Sequence, residues 1–468
     1  MIIEQIYTGC LAQGAYYIES NGEVAIIDPL REVQDYMERA ANNNAKINYI
    51  FETHFHADFV SGHVTLAEKT GAKIVYGPTA KTNFDAIIAE DNQVFKLGDI
   101  TITALHTPGH TMESSCYLLK DMQGKDHALF SGDTLFLGDV GRPDLAQKSD
   151  VTEKGLAGFL FDSLRNKVMP LADDVIVYPA HGAGSACGKN LSKETVGTIG
   201  NQKETNYALR EDMTKAEFVK EVTAGLLPPP AYFSLNVKLN KEGYTSTEEV
   251  IKNSATPLSV KSFELISNKT DVVILDVRHQ SEFLKGFIPQ SIFIGIDGSF
   301  APWVGALIKD ITQPILLVTP NGQEKDTITR LSRVGFDNVL GFLEGSFAAW
   351  KDAGKGMDTL ASVSADVLKS KIKDKTPIFD VRKPGEYATE HIKVAESTPL
   401  DFLNNHIAKF PDKGDFYVHC AGGYRSVIAA SILKARGFHN VIDVAGGYAA
   451  IRNTTIERTA AVCSSTLK

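Results

Sequence analysis

An internal repeat constrains this chain more than any other feature. Val273-Ile274-Leu275-Asp276-Val277-Arg278 recurs as Pro377-Ile378-Phe379-Asp380-Val381-Arg382, an offset of 104 residues. An acidic–aromatic pair follows each copy, Glu282-Phe283 and Glu386-Tyr387. Further on, Gly335-Phe336 returns as Gly437-Phe438 and Gly345 as Gly447, both offset by 102. Two copies of one pattern fold alike, so residues 256–357 and 358–460 are each expected to form an α/β domain in which strands alternate with helices.

Residues 1–255 then remain for another domain, and three domains suit a chain of 468 residues. Strands are predicted at Val24–Asp28, Ile47–Phe51, Lys73–Tyr76, Ile100–Leu105, His127–Phe130 and Val175–Tyr178, and helices over 31–43 and 62–70. The run Leu226-Leu227-Pro228-Pro229-Pro230 cannot continue a helix and predicts a turn near this domain's end. Several strands end in Asp, His or Gly, which gathers polar side chains at one sheet edge.

The composition, 43% hydrophobic and 22% charged, is that of a soluble globular protein. A net charge of −9 argues against an extended surface for nucleic acid. The start lacks a basic segment followed by an apolar core, and no run approaches the roughly 20 apolar residues that span a bilayer. Cys10, Cys116, Cys187, Cys420 and Cys463 are odd in number and scattered, which fits a reducing cytoplasm and leaves individual thiols as candidates for chemistry.

The first candidate site is Thr53-His54-Phe55-His56-Ala57-Asp58, directly after a predicted strand. Neutral imidazoles and a carboxylate so close together suit zinc or non-haem iron. A polar loop with incidental histidines would show no echoes. Here His106-Thr107-Pro108-Gly109-His110, Ser131-Gly132-Asp133 and Pro179-Ala180-His181-Gly182 each follow a hydrophobic segment too.

His54-x-His56-x-Asp58, His110, Asp133 and His181, in that order, resemble the metallo-β-lactamase superfamily. The resemblance implies an αββα sandwich with metal ligands in loops at one sheet edge. In the superfamily's two-metal hydrolases a His follows the Asp of the first motif. Phe59 stands there and has no donor atom. His54, His110 and Asp133 remain as a two-His, one-carboxylate face with open positions, an Fe(II) oxygenase arrangement. Within the superfamily the sequence is most similar to the persulfide dioxygenases. That similarity implies one non-haem Fe(II) per chain, turning a low-molecular-weight thiol persulfide and O2 into sulfite and free thiol. His56, Asp58 and His181 would orient ligands, water or substrate, with ligation left open. Gly141-Arg142-Pro143-Asp144 is similar to a family loop that Arg142 would brace. Cys187, in a Gly/Ser-rich loop, is expected to be partly exposed and is a candidate persulfide-carrying thiol.

The second candidate site is Phe416-Tyr417-Val418-His419-Cys420-Ala421-Gly422-Gly423-Tyr424-Arg425-Ser426, read as strand, loop and helix. Glycines let successive N–H groups turn inward and cradle anionic sulfur. A Cys beside a helix N-terminus and an Arg should be a ready thiolate. With Asp380-Val381-Arg382, Glu386 and Gly446-Gly447, the segment resembles the rhodanese sulfurtransferases. That implies that Cys420 accepts a sulfane sulfur within an anion loop of Ala421, Gly422, Gly423, Tyr424, Arg425 and Ser426. Subtracting 102 places Val318 opposite Cys420 and Gln323 opposite Arg425, so the first repeat is expected to be inactive.

As a whole the chain resembles a persulfide dioxygenase–rhodanese fusion in which sulfite and Cys420 persulfide yield thiosulfate. The resemblance implies a cytoplasmic sulfide-detoxifying homo-oligomer acting on thiol persulfide, O2 and sulfite, without nucleic-acid or membrane partners. The alternative is a zinc hydrolase of the glyoxalase II type with an accessory sulfurtransferase; a non-enzymatic sensing or docking role for the repeats is a third reading.

Overall fold

A computed structural model describes residues 1–146, 151–189, 191–269, 271–373 and 376–462; Cys463 lies outside them. The chain separates into two compact units, Met1–Glu249 with Ser332–Gly335, and Val250–Leu331 with the chain from Phe336 onward.

The first unit holds two six-stranded sheets. One runs in order β1 (Ile2–Thr8), β2 (Gln13–Ser20), β3 (Glu23–Ile27), β4 (Lys46–Phe51), β5 (Lys73–Tyr76) and β6 (Ile87–Ile88). The other comprises β7 (Val94–Leu97), β8 (Ile100–His106), β9 (Ser115–Lys120), β10 (Asp126–Gly132), β11 (Ile176–Pro179) and β12 (Gly197–Thr198), hydrogen-bonded in that order. Alternation along the strands makes the layers. Tyr16, Ile18, Ala25, Ile27 and Phe51 meet Phe95, Ile102, Ala104, Tyr117 and Phe130 between the sheets. Their neighbours Tyr17, Val24, Ile26 and Ile50 face outward onto Tyr36, Ala40 and Leu66 of the helices Gln34–Asn42 and His63–Thr70. On the far side Leu105, Cys116, Leu118 and Val177 pack on Ala157, Leu160 and Phe218 from two further helices. Helix, sheet, sheet, helix is the sandwich expected. The prolines at 228–230 separate the helices Lys215–Thr223 and Phe233–Glu242.

The second unit contains the repeat as two all-parallel five-stranded sheets with the same strand order. Their strands are β13 (Pro257–Leu258), β14 (Val273–Asp276), β15 (Ile292–Phe293), β16 (Ile315–Val318) and β17 (Val339–Leu343), then β18 (Ala361–Val363), β19 (Ile378–Asp380), β20 (Ala395–Ser397), β21 (Phe416–His419) and β22 (Val441–Val444). The orders are β13-β17-β16-β14-β15 and β18-β22-β21-β19-β20.

Strand register corrects the alignment obtained by subtraction. Asp276 pairs with Val318, whereas Asp380 pairs with His419. Gly322 and Gly423, both at positive φ, end the two loops. The structural counterpart of Cys420 is therefore Thr319, not Val318, and that of Arg425 is Glu324, not Gln323. The reason is a one-residue difference in spacing: Gly322 to Gly335 is 13 positions and Gly423 to Gly437 is 14, so an offset taken from the Gly–Phe turn overshoots at the loop by one.

Candidate metal centre and candidate sulfur-transfer loop

Every polar group of the first site sits just past a strand end: Asp28 after β3, His54 to Asp58 after β4, His110 after β8, Asp133 after β10 and His181 after β11. Parallel pairing of β3 with β4 and of β10 with β11 brings these ends to one edge. Nε2 of His110 and of His54 lie 3.4 and 3.9 Å from Asp133 Oδ2. Their other nitrogens are held from behind: His110 Nδ1 is 2.9 Å from the Arg142 carbonyl oxygen, and His54 Nδ1 is 3.0 Å from Thr53 Oγ1. Such contacts fix which ring nitrogen is free for an ion. Asp28 in turn accepts from Thr53 N–H and Oγ1, both at 2.8 Å. Two glycines permit this closeness. A Cβ on Gly141 would stand 2.0 Å from the Asp133 carbonyl oxygen, and Gly132 holds φ +52° against Thr53.

His181 Nε2 lies 3.4 Å from Asp58 Oδ2 and 3.6 Å from Asp133 Oδ1. His54, His110 and Asp133 form one group able to hold an ion, and His56, Asp58 and His181 form another. His56 has a second claim on it, because its Nε2 sits 3.0 Å from Asp28 Oδ1 and 3.5 Å from Glu52 Oε2. Burial pulls the His56 imidazole down, but Asp28 and then Glu52 outweigh it and push it up to about 9. His54 is held well below the usual range by burial, then by the neighbouring histidines. Phe59 is buried against the His56 ring, centroids 4.4 Å apart. Among the described residues both carboxylate oxygens of Asp133, Asp58 Oδ1 and His181 Nε2 lack a hydrogen-bond partner. Orphaned buried acceptors facing imidazoles are the surroundings that a cation completes.

Arg142 braces its loop through Asp144 (2.6 and 2.7 Å) and the carbonyls of Ala186 and Leu227. Cys187 is buried, not partly exposed as the sequence suggested, because its loop folds back and its carbonyl accepts from Arg142 N–H at 3.0 Å. It lies with Asp133 and His181, and burial, then the Asp58 and Asp133 carboxylates, push its thiol up.

In the second site Cys420 follows β21, is 1% exposed, and its Sγ accepts from Gly423 N–H at 3.1 Å. Gly423 has φ +104°, which turns that N–H inward. The chain after β22 lies against the loop: Tyr448 N–H donates to the Cys420 carbonyl at 2.6 Å, and a Cβ on Gly447 would meet that oxygen at 2.5 Å. Ser426 Oγ donates to Asp443 at 2.6 Å. Arg425 is bidentate to Glu386 (2.7 and 2.9 Å). Burial raises Glu386, but those bonds outweigh it and hold the carboxyl below its usual range. In the first repeat Glu324 Oε1 accepts from Gly322 N–H, the counterpart of the donor facing Cys420. Sequence reasoning assigned no role to Asp28, Glu52 or Asp443. The only signal for Asp28 was its place at the end of an apolar strand.

Residues 8–181 match the metallo-beta-lactamase superfamily, and residues 259–353 and 364–454 match the rhodanese-like domain. A crystal structure of a metallo-beta-lactamase from Staphylococcus aureus is 29% identical, covers 73% of this chain and 98% of its own, with a TM-score of 0.65. A hydroxyacylglutathione hydrolase from Polaromonas is 30% identical over 39% of this chain and 66% of its own length. A Schizosaccharomyces pombe protein described as a "Probable hydroxyacylglutathione hydrolase" is 29% identical over 35% of this chain. The chain spans 60% of that relative's length. With the sandwich and the duplicated parallel sheets, these matches make the chain a metallo-β-lactamase-type domain followed by two rhodanese-like domains.

Proposed function

We propose that the chain is a non-haem iron persulfide dioxygenase joined to a rhodanese-type sulfurtransferase. One observation carries the reading: His54, His110 and Asp133 converge on one point, while Phe59 packs where a second-site His would stand. Two imidazoles and one carboxylate leave coordination positions open, and an Fe(II) held there would supply the chemistry that joins persulfide sulfur to O2. Overall, RSSH, O2 and water give RSH, sulfite and two protons. Thr53 and the Arg142 carbonyl hold the two imidazoles with Nε2 free, and Asp28 fixes Thr53. Burial excludes bulk water from the ligand side chains. At the second site Cys420 carries a sulfane sulfur. The sulfite sulfur attacks the outer atom of the Cys420 persulfide, the Sγ–S bond breaks, its electron pair returns to the Cys420 thiolate, and thiosulfate leaves.

The relatives' names favour a second reading, a zinc-dependent thioester hydrolase of the hydroxyacylglutathione type. The trio His56, Asp58 and His181 would then take part in a second ion site. Against it stands Phe59, which offers no ligand atom. Metal analysis of anaerobically purified protein, with O2 uptake on a thiol persulfide, separates the two. About one iron per chain with O2 consumption is expected. Two tightly bound zinc ions, thioester cleavage and no O2 uptake would overturn the proposal.

A further inference from the structure

The first repeat has no cysteine at its loop, yet its surface lies beside the Cys420 loop. Tyr424, one residue past the Gly423 N–H that faces Cys420 Sγ, donates its hydroxyl to the Gly295 carbonyl at 2.8 Å. Gly295 and Gly298 leave room for the Tyr424 ring; a Cβ on Gly298 would stand 2.8 Å from the ring's Cζ. Gln280 Nε2 comes within 3.7 Å of the point where a Cβ on Gly423 would project. Between these groups lies a cavity of about 240 Å³ lined by His279, Gln280, Gly295, Asp297, Gly298 and Tyr424. Five of the six lining residues belong to the repeat without the cysteine.

The charge of this cavity is informative. Asp297 is the carboxylate in its wall, and among the described residues no Lys or Arg lines it. Arg425, the nearby guanidinium, is paired with Glu386. A sulfite dianion gains nothing from such a wall, whereas an ammonium group does. The volume lies below the ~300–1,000 Å³ of sites for drug-sized ligands, so the occupant is of amino-acid size.

We infer that the cavity binds the organic end of an ammonium-bearing low-molecular-weight thiol, so that the inactive repeat sets the substrate preference of Cys420. The inference rests on the reading of Cys420 as the sulfur-carrying thiol. Sulfur would pass when the bound thiolate attacks the outer sulfur of the Cys420 persulfide, the Sγ–S bond breaks, and the electron pair returns to Cys420.

Disulfide exchange tests this without requiring sulfur transfer. The full-length protein is treated with cystamine or with bis(2-hydroxyethyl) disulfide, and the mixed disulfide at Cys420 is timed by peptide mass spectrometry. In each reaction the Cys420 thiolate attacks one sulfur and the other leaves as a thiolate. Relative to the same two reagents acting on free 2-mercaptoethanol, the wild type should favour cystamine by about 1.4-fold to fivefold, the range for an exposed ion pair. Asp297→Asn should remove the preference and Asp297→Lys should reverse it. Asp297 is exposed, so both variants keep the fold. A ratio unchanged by either substitution, or no label at Cys420 from either reagent, overturns the inference. A Cys420 that exchanges disulfides with this preference but never accepts sulfane sulfur would instead sink the sulfurtransferase reading and leave the cavity assignment standing.

Discussion

Cys420 and Gly141 show how differently single residues bear on the two centres. Cys420→Ser keeps the shape of the loop but replaces the sulfur nucleophile by a hydroxyl, a far poorer sulfur acceptor. Sulfur transfer and thiosulfate formation should disappear while persulfide oxidation continues, so sulfite accumulates in an assay that measures both anions. Unchanged thiosulfate would remove Cys420 from the reaction. Gly141→Ala acts through packing: the new methyl would press on the Asp133 carbonyl and on His110 Nδ1, 2.9 Å away. It should cost about 1–3 kcal/mol, as overpacking does, and lower metal content alongside the unfolding midpoint. A variant with wild-type metal content and thermal stability would show that the loop 139–144 has slack. His54, His110 and Asp133 were singled out in the sequence by motifs that resemble the metallo-β-lactamase superfamily, and the fold brings them into one group able to hold an ion. Asp28 was not singled out, because one Asp after an apolar strand is common, and its partner Thr53 is 25 positions away.

At the level of elements, the predicted strands recur within one or two residues, for example Lys73–Tyr76 and Ile100–His106. Their apolar runs are buried on both faces and so stand out from their surroundings. The strands Ile2–Thr8 and Gln13–Ser20 escaped notice. The first mixes Glu and Gln with isoleucines at a half-exposed edge, so its alternation is weak. The loop after β16 carries a prediction of its own. Thr319→Cys puts a thiol at the counterpart of Cys420, yet sulfur transfer should not appear there. Pro320 lacks an N–H, Glu324 already accepts from Gly322 N–H, and a carboxylate replaces the guanidinium. The check is peptide mapping after persulfide treatment, on a chain that also carries Cys420→Ser. A sulfane label on the peptide spanning position 319 would show the prediction to be wrong.

For the whole molecule, the duplicated unit behaves as one body: Phe293 N–H of the first repeat donates to Ser431 Oγ of the second at 2.9 Å, and Tyr424 reaches Gly295. Deleting residues of roughly 260–355 should therefore destabilise the Cys420 domain, whose helix Tyr424–Ala435 would lose its cover. Limited proteolysis and an assay of sulfur transfer check this; a truncated chain with wild-type resistance and transfer rate would refute it. No helix among the described residues is long and apolar enough to cross a membrane. What the sequence determined by itself is the duplication and the run of strands ending in polar residues, because period and strand pattern are local properties; the sandwich came from the motifs' resemblance to a known superfamily. Tertiary structure alone decided which residues face one another. It moved the counterpart of Cys420 from Val318 to Thr319, buried Cys187, turned His56 toward Asp28, and set Gln280 and Asp297 in one cavity with Tyr424, more than 100 positions away. The physical reason is that register, burial and charge pairing come from contacts between distant segments, which spacing along the chain does not encode.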